Sequence, residues 1–379
     1  MSTASDFEIF LSVPPGLEPV LRMEAREKGF KTGAPVKGGV IVEGGWRDVW
    51  RANLELRGAS HVLARVASFR AMHLAQLDKR ARKVPWGDVL RADVPFRVEA
   101  ACAKSRIYHS GAAAQRIERA IKETLGAPAS QDAGVCIKAR IDDDLCVLSV
   151  DTSGEPLHRR EHKEAVGKAP MRESMAALFL RQCGFDGCEP VVDPMCGSGT
   201  FVIEAAGIAA GLKPGRSRRF AFEHLATFDE PAWRRMRDAA GSFQPAARFY
   251  GSDHDAGAIR MCEANAERAG VATLTEFRQL KIEDIAPPPG PPGLVIVNPP
   301  YGTRIGGAAD IAALYRLLGR TLLARFQGWR VGLVTSEPAL ARATGLPFGP
   351  GAPPVSHGGL RIALYRTGPL SLADSGGAN

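Results

Sequence analysis

The chain has 379 residues, 45% of them hydrophobic, a length that exceeds one typical domain and predicts two or three with their own cores. No stretch of about 18 uncharged apolar residues occurs, and Met1 to Val13 lacks the basic start and long apolar run of a secretory leader, so a soluble, cytoplasmic protein without membrane attachment is expected. The formal charge is +8, and Arg51 to Arg140 alone holds 17 Lys and Arg against 8 Asp and Glu, an excess that points to phosphate contacts or, more blandly, to a solvated basic face.

Phe7 to Val13 reads as a strand, Leu17 to Lys28 as a helix stopped by Gly29, Val40 to Val42 as a strand and Trp46 to Leu56 as a helix, together a small α+β unit. The basic segment follows. His61 to Phe69 is apolar and basic, Leu74 to Val84 helical, Phe96 to Ala100 a strand, and Ser110 to Leu125 a helix with Ile117, Ala120 and Ile121 opposite Arg116, Arg119 and Lys122. Val135 to Ile141 and Leu145 to Val150 pair as a hairpin through Asp142-Asp143-Asp144. The seven cysteines are scattered without a CxxC or Cys/His spacing, so neither a metal site nor a disulfide framework is expected.

After a connecting stretch, Val191-Val192-Asp193 reads as a strand, Pro194-Met195-Cys196-Gly197-Ser198-Gly199 as a tight turn, and Thr200 onward as a helix. Gly197 and Gly199 let a ligand approach the backbone, and the free N–H groups at the helix start favour an anionic or polar one. The spacing is not the dinucleotide GxGxxG, and Asp253, at the end of the second strand Arg248 to Ser252, lies far beyond the usual offset of about 20 residues. Between them runs an excursion, Gly215 to Glu223 and on to Met236, whose arginines and aromatics either touch a nucleic acid or pack as a loop around Trp233. Further on, Leu294 to Val297 is an aliphatic strand that runs into Asn298-Pro299-Pro300-Tyr301-Gly302. The two prolines hold Asn298 and Tyr301 stiffly at its carboxyl end, where open α/β sheets bind ligands. A helix over Ile311 to Phe326 and strands over Val331 to Val334 and Leu360 to Arg366 complete the pattern.

The glycine turn together with Asn-Pro-Pro-Tyr resembles the class I S-adenosylmethionine-dependent methyltransferases that modify exocyclic amines of bases. Asn53-Leu54-Glu55-Leu56-Arg57 and Ser105-Arg106-Ile107-Tyr108-His109 resemble the ferredoxin-like leader and THUMP module of RNA-modifying enzymes. Leu157-His158-Arg159-Arg160 and Ala169-Pro170-Met171-Arg172-Glu173 are similar to the joint of bacterial guanine-N2 RNA methyltransferases related to the large-subunit rRNA enzyme, although Glu161-His162 departs from that family's Gly-Tyr. The resemblance implies an α/β Rossmann-like class I methyltransferase domain, a doubly wound sheet with an antiparallel last strand, over residues 156–379. A ferredoxin-like domain (1–65) and a THUMP RNA-binding domain (66–155) would precede it.

It also implies S-adenosyl-L-methionine as cofactor, held by Pro170, Asp193, Cys196, Gly197, Gly199, Thr200, Asp253, Ile282 and Asn298. Asp253 would accept from the ribose hydroxyls. Adenine would be read by backbone near Ile282, because Lys281 stands where the family has Asp, unless the register shifts and Asp284 serves. Asn298 and Pro299 would accept the two N–H bonds of the target amine, Pro300 would stiffen the turn, and Tyr301 would stack on the base. The expected substrate is the N2 amine of a guanine in 23S rRNA, with tRNA as the alternative RNA, no metal and no membrane partner. A non-catalytic RNA binder is the rival of another class. The Asn-Pro-Pro-Tyr motif does not name its acceptor, since adenine N6 and a protein glutamine are methylated by the same motif.

Overall fold

The computed structural model describes residues 6–163, 171–239, 241, 243–301 and 308–371. Along the chain run β1 (Phe7–Ser12), α1 (Glu18–Glu27), β2 (Lys31–Val36), β3 (Gly39–Gly44), α2 (Trp46–Glu55), β4 (His61–Arg70), α3 (Leu74–Ala81), β5 (Phe96–Ala103), α4 (Ser110–Leu125), β6 (Val135–Asp142) and β7 (Leu145–Asp151). Then come α5 (Glu173–Gln182), β8 (Val191–Asp193), α6 (Thr200–Ala209), α7 (Glu230–Asp238), β9 (Phe249–Asp253), α8 (Ala256–Arg268), β10 (Thr275–Gln279), β11 (Leu294–Val297), α9 (Ala308–Arg325), β12 (Arg330–Thr335), α10 (Pro338–Ala343), β13 (Val355–His357) and β14 (Leu360–Arg366). Two compact units result. One gathers Met1–Val13, Leu21–Leu157 and Arg218–Ala240, the other Pro14–Val20, His158–Ser217 and Gly241–Asn379.

The first unit is built on a seven-stranded sheet in the order β2-β3-β1-β4-β7-β6-β5, antiparallel except where β5 runs parallel to β6 through the crossover α4. Inward residues such as Ile9, Leu11, Val40, Val42, Val62 and Ala64 are fully buried, the alternation expected of a sheet with one covered face. The division expected at 65/66 falls inside β4, which pairs with β1 on one side and β7 on the other, so one sheet crosses it.

The excursion after α6 joins this unit. Its Arg218 is buried and donates to the carbonyls of Ser153 (3.2 Å), Glu155 (2.5 Å), Pro156 (2.8 Å) and Arg219 (3.4 Å). Phe222 lies 6.0 Å from the Trp50 ring and 5.0 Å from Trp233, and Phe220, Phe222 and Trp233 are all buried. Of the two readings of these aromatics, packing is the one realised, because together they close an apolar cluster that no solvated loop could hold.

The second unit is a seven-stranded sheet in the order β10-β9-β8-β11-β12-β14-β13. Strands β10, β9, β8, β11 and β12 are parallel, whereas β14 is antiparallel to β12 and pairs with β13 as a hairpin. This is the doubly wound sheet with an antiparallel end that the sequence implies. Residues 294–297 of β11 are completely buried, as a central parallel strand covered on both faces requires. The central strands β9, β8 and β11 therefore deliver Asp253, Asp193 and Asn298 to the same, carboxyl edge of the sheet.

Candidate active site

The turn after β8 is fixed by its own backbone. Asp193 Oδ1 accepts from the Met195 N–H (3.1 Å), the Cys196 N–H donates to the Ser252 carbonyl on β9 (3.0 Å), and the Gly199 N–H closes on the Cys196 carbonyl (2.8 Å). This path needs left-handed φ at Gly197 (+55°) and Gly199 (+81°), which side chains adopt rarely. The two glycines differ in what surrounds them. A Cβ on Gly199 would stand 3.2 Å from Cys262 Sγ and from Ile203, whereas a Cβ on Gly197 would meet nothing within 4 Å. Open space at a bend just before a helix start leaves room for a ligand to approach the backbone N–H groups. From β9, Asp253 Oδ2 accepts the Gly197 N–H (3.1 Å), and its Oδ1 takes the Asp255 N–H (3.1 Å) with His254 Nδ1 at 3.2 Å. Each oxygen keeps lone-pair capacity for a further donor.

Burial pushes the Asp193 carboxyl up to about 8, with Asp253 adding to the rise and the Met195 N–H opposing it, so it is neutral at pH 7 unless a cation arrives. Cys196 Sγ lies 3.6 Å from Cys262 Sγ, which contacts the Gly197 carbonyl at 3.2 Å. The neighbouring thiol and burial hold the Cys196 thiol well above its ordinary value, so Cys196 packs the turn and is not poised as a nucleophile.

The joint ahead of the domain supplies residues that sequence reasoning missed. Lys163 Nζ donates to Thr200 Oγ1 (2.8 Å) and to the Met171 carbonyl (3.3 Å) and pairs with Glu173 (3.3 Å). Arg160 pairs with Glu204 on α6 at 3.3 Å, both buried. Arg268 on α8 donates to the His162 carbonyl (2.8 Å) and to Asn265, whose Nδ2 donates to the Ser198 carbonyl (3.1 Å). Burial lowers the His162 imidazole to about 4, so it is neutral here. The bonds that tie this joint to α6 and α8 join residues 37 to 106 positions apart along the chain, and no local pattern announces them. Pro170, expected at the cofactor's edge, lies outside the described residues.

At the end of β10, Lys281 is exposed and opens a 3₁₀ turn over Ile282–Asp284, in which only Ile282 is buried. The Leu280 N–H donates to the Asp253 carbonyl (3.0 Å), tying this turn to the end of β9. Lys281 and Asp284 are both exposed on either side of this buried Ile282.

Beyond β11, Asn298 Oδ1 is buried and has no hydrogen-bond partner among the described residues. An unpaired buried amide oxygen costs on the order of 1–3 kcal/mol, and such an orphan beside a glycine cradle marks an acceptor waiting for a donor. Pro299 is buried and Pro300 half-buried. Tyr301 is only 9% exposed, so little of its ring is open for a base to cover. Close to it Tyr315 donates to Thr335 Oγ1 at the end of β12 (3.3 Å), and burial raises the Tyr315 phenol, with Tyr301 adding to the rise. Gly302 lies outside the described residues. Among the described residues no group of three or more His, Cys, Asp and Glu could hold a metal ion, and no helix is long and apolar enough to cross a membrane.

Residues 160–347 match the family model described as "RMKL-like, methyltransferase domain", and residues 8–63 match the "RlmL ferredoxin-like domain". Residues 160–347 are thus similar to the RMKL-like methyltransferase domain. The chain is 32% identical over 355 residues to the ribosomal RNA large subunit methyltransferase K/L of Psychromonas ingrahamii, a match over 90% of this chain and 47% of that protein. The chain spans about half the length of the curated relative it matches. Among solved structures it is similar to a protein from Listeria monocytogenes described as "a predicted N6-adenine-specific DNA methylase", with 29% identity, a TM-score of 0.86, and 96% and 97% of the two chains covered. It is equally similar to SMU.472, a candidate methyltransferase solved in complex with SAH, with 26% identity, a TM-score of 0.86, and 97% and 100% covered. The RMKL-like domain accounts for the parallel sheet, the glycine turn and the Asn-Pro-Pro-Tyr turn in one segment.

Proposed function

We propose that this chain transfers a methyl group from S-adenosyl-L-methionine to the exocyclic N2 amine of a guanine in 23S rRNA. The observation that carries the reading is the buried, unpartnered Asn298 Oδ1 at the carboxyl end of β11, beside the strand that opens the glycine cradle. The K/L relative supports ribosomal RNA as substrate class, and the SAH complex of SMU.472 supports the cofactor. A soluble cytoplasmic enzyme would meet such a substrate.

The residues present fit the cofactor. Gly197 leaves the open space, Asp253 offers lone pairs for ribose hydroxyls, Thr200 opens α6 directly after the glycine bend, and the buried, apolar Ile282 follows β10. When bound, the cofactor supplies an electrophilic methyl on a cationic sulfur, and that charge would draw the Asp193 carboxyl toward its ionised form. The protein's own residues do the rest by positioning. An exocyclic amine is a poor nucleophile because its lone pair is delocalised into the ring. Asn298 Oδ1 and the Pro299 carbonyl accept its two N–H bonds, turn the lone pair out of the ring plane and aim it at the methyl carbon, with Pro300 fixing the turn. The proton released afterwards goes to solvent, so no strong base is needed. Tyr301 stacks on the base only if a further part of its ring is uncovered as the base enters, offsetting a few kcal/mol of unstacking.

The basic first unit, with the ferredoxin-like domain at its start and a THUMP-like region over 66–155, grips the RNA in this reading. A tRNA guanine is the alternative acceptor, and the name of the Listeria structure favours testing adenine as well. Labelled methyl groups are to be transferred to unmodified cellular RNA, which is fractionated by size and digested to nucleosides. The expected result is N2-methylguanosine in large-subunit rRNA. Label in tRNA would move the acceptor, N6-methyladenine would move the base, and no label in any RNA would overturn the reading.

A further inference from the structure

Helix α9 follows the Asn-Pro-Pro-Tyr turn and carries the chain from the carboxyl edge of the sheet, where β11 ends, back to the start of the parallel β12. Its exposed side carries charge of one sign. Arg316 and Arg320 are exposed and stand at i and i+4, so they are neighbours on one helix face, and a like-charged pair at that spacing disfavours the helix. Arg342 is exposed on α10. None of these three guanidiniums has a hydrogen-bond or ion-pair partner among the described residues. The one acid of α9 is Asp310 in its first turn, and α10 has no acid beyond its N-cap Glu337. A glycine brings the two helices together. A Cβ at Gly319 would overlap the Thr344 carbonyl, so only glycine allows the approach, although glycine inside a helix is itself unfavourable. Gly319 adjoins Arg320, and Thr344 is the C-cap of α10, so this contact sets the backbones that bear the arginines side by side.

We propose that this arginine face of α9 and α10 holds phosphates of the substrate RNA next to the catalytic edge. This rests on the proposed function and deepens it, because it gives the catalytic unit a grip on RNA of its own. Arg316 lies about 12 Å along α9 from Ala308, the end nearer the Asn-Pro-Pro-Tyr turn. A guanidinium fork matches two phosphate oxygens at once. Arginines already engaged by acids would have to exchange one partner for another, whereas these three have no carboxylate to release. Their mutual repulsion is relieved when a polyanion binds.

The test replaces the three together, Arg316→Gln, Arg320→Gln and Arg342→Gln, in the full chain. Binding to an unmodified 23S rRNA transcript is followed across salt concentrations, alongside methyl transfer to the same transcript and cofactor affinity by calorimetry. The plot of log affinity against log salt should flatten by about one for each phosphate given up, two to three in all. The KM for RNA should rise in parallel, with kcat at saturating RNA and cofactor affinity unchanged. Lysine at the three positions should restore the slope, because an ammonium also neutralises a phosphate. Should the triple variant fail to fold, Arg316→Gln with Arg320→Gln leaves α10 untouched and should show a smaller flattening of the same kind. An unchanged slope, or a flattened slope with an unchanged KM for RNA, overturns the inference and leaves the proposed function standing. A wild type that neither binds nor methylates the transcript overturns the proposed function and this inference with it.

Discussion

Asp193 ends β8 with its carboxyl inside the protein, 2% exposed, and its proton affinity follows from that burial. The folded value of about 8 stands above the ordinary 3.8, so the folded chain holds a proton that the unfolded chain has already lost. Its stabilising contribution is complete below pH 4 and disappears as pH rises through 8. Without cofactor, thermal midpoints of Asp193→Asn and wild type are therefore expected to diverge between pH 4 and pH 8, with the variant gaining relative to wild type; parallel curves would place an ionised carboxylate in the folded state. The sequence made Asp193, Asp253 and Asn298 legible, because each follows an apolar run that reads as a strand. It could not announce Lys163, Arg268 or Asn265, whose roles exist only through partners brought together by the sheet. Nor could it tell that Tyr301 packs in with little ring left open, since a tyrosine after two prolines is compatible with either environment.

The strand, turn and helix from Val191 to Ala209 have one backbone path, and the two glycines in it are not equivalent. Gly199→Ala places a methyl at 3.2 Å from Cys262 and Ile203 in a left-handed conformation, whereas Gly197→Ala carries only the conformational cost of about 1–2 kcal/mol. Denaturant midpoints should therefore fall further for Gly199→Ala. Gly197→Ala should lose cofactor affinity out of proportion to its stability, because its methyl occupies the open cradle. Equal losses of stability and affinity in the two variants would contradict this division of roles. The elements that went unread have physical reasons. Strand β2 carries Gly33 and Pro35 and is mostly exposed, so neither propensity nor alternation marks it. Strand β13 has three residues, and α10 only six, begun by a proline. Lys281, a departure from the resembled pattern, stands exposed at the head of a 3₁₀ turn.

Taken whole, the chain segregates its charge. Lys79, Arg80 and Lys83 around the end of α3, with Arg116 and Lys122 on α4, are exposed and have no ion-pair partner among the described residues, while nearby Asp78 and Glu123 are engaged by Arg82 and Arg119. If this unit grips RNA through phosphates, replacing Lys79, Arg80 and Lys83 by Gln should flatten the dependence of log affinity on log salt by roughly one for each phosphate no longer neutralised, without changing cofactor affinity. An unchanged slope would remove these three from the RNA surface. At this scale the sequence placed the basic segment and the catalytic pattern in order along the chain. It did not show that Arg218–Ala240 leaves the catalytic stretch to complete the core of the first unit, because burial of Phe220, Phe222 and Trp233 against Trp50 is a long-range event.

The most direct test of the account is Asn298→Ala, assayed twice: for cofactor affinity by calorimetry and for methyl transfer to unmodified RNA. Asn298 Oδ1 is the orphaned acceptor at the edge where the cradle opens, so cofactor binding should stay within about two-fold while methyl transfer falls below detection. Full methyl transfer by the variant would contradict the role given to Asn298 and, with it, the chemistry proposed for the site.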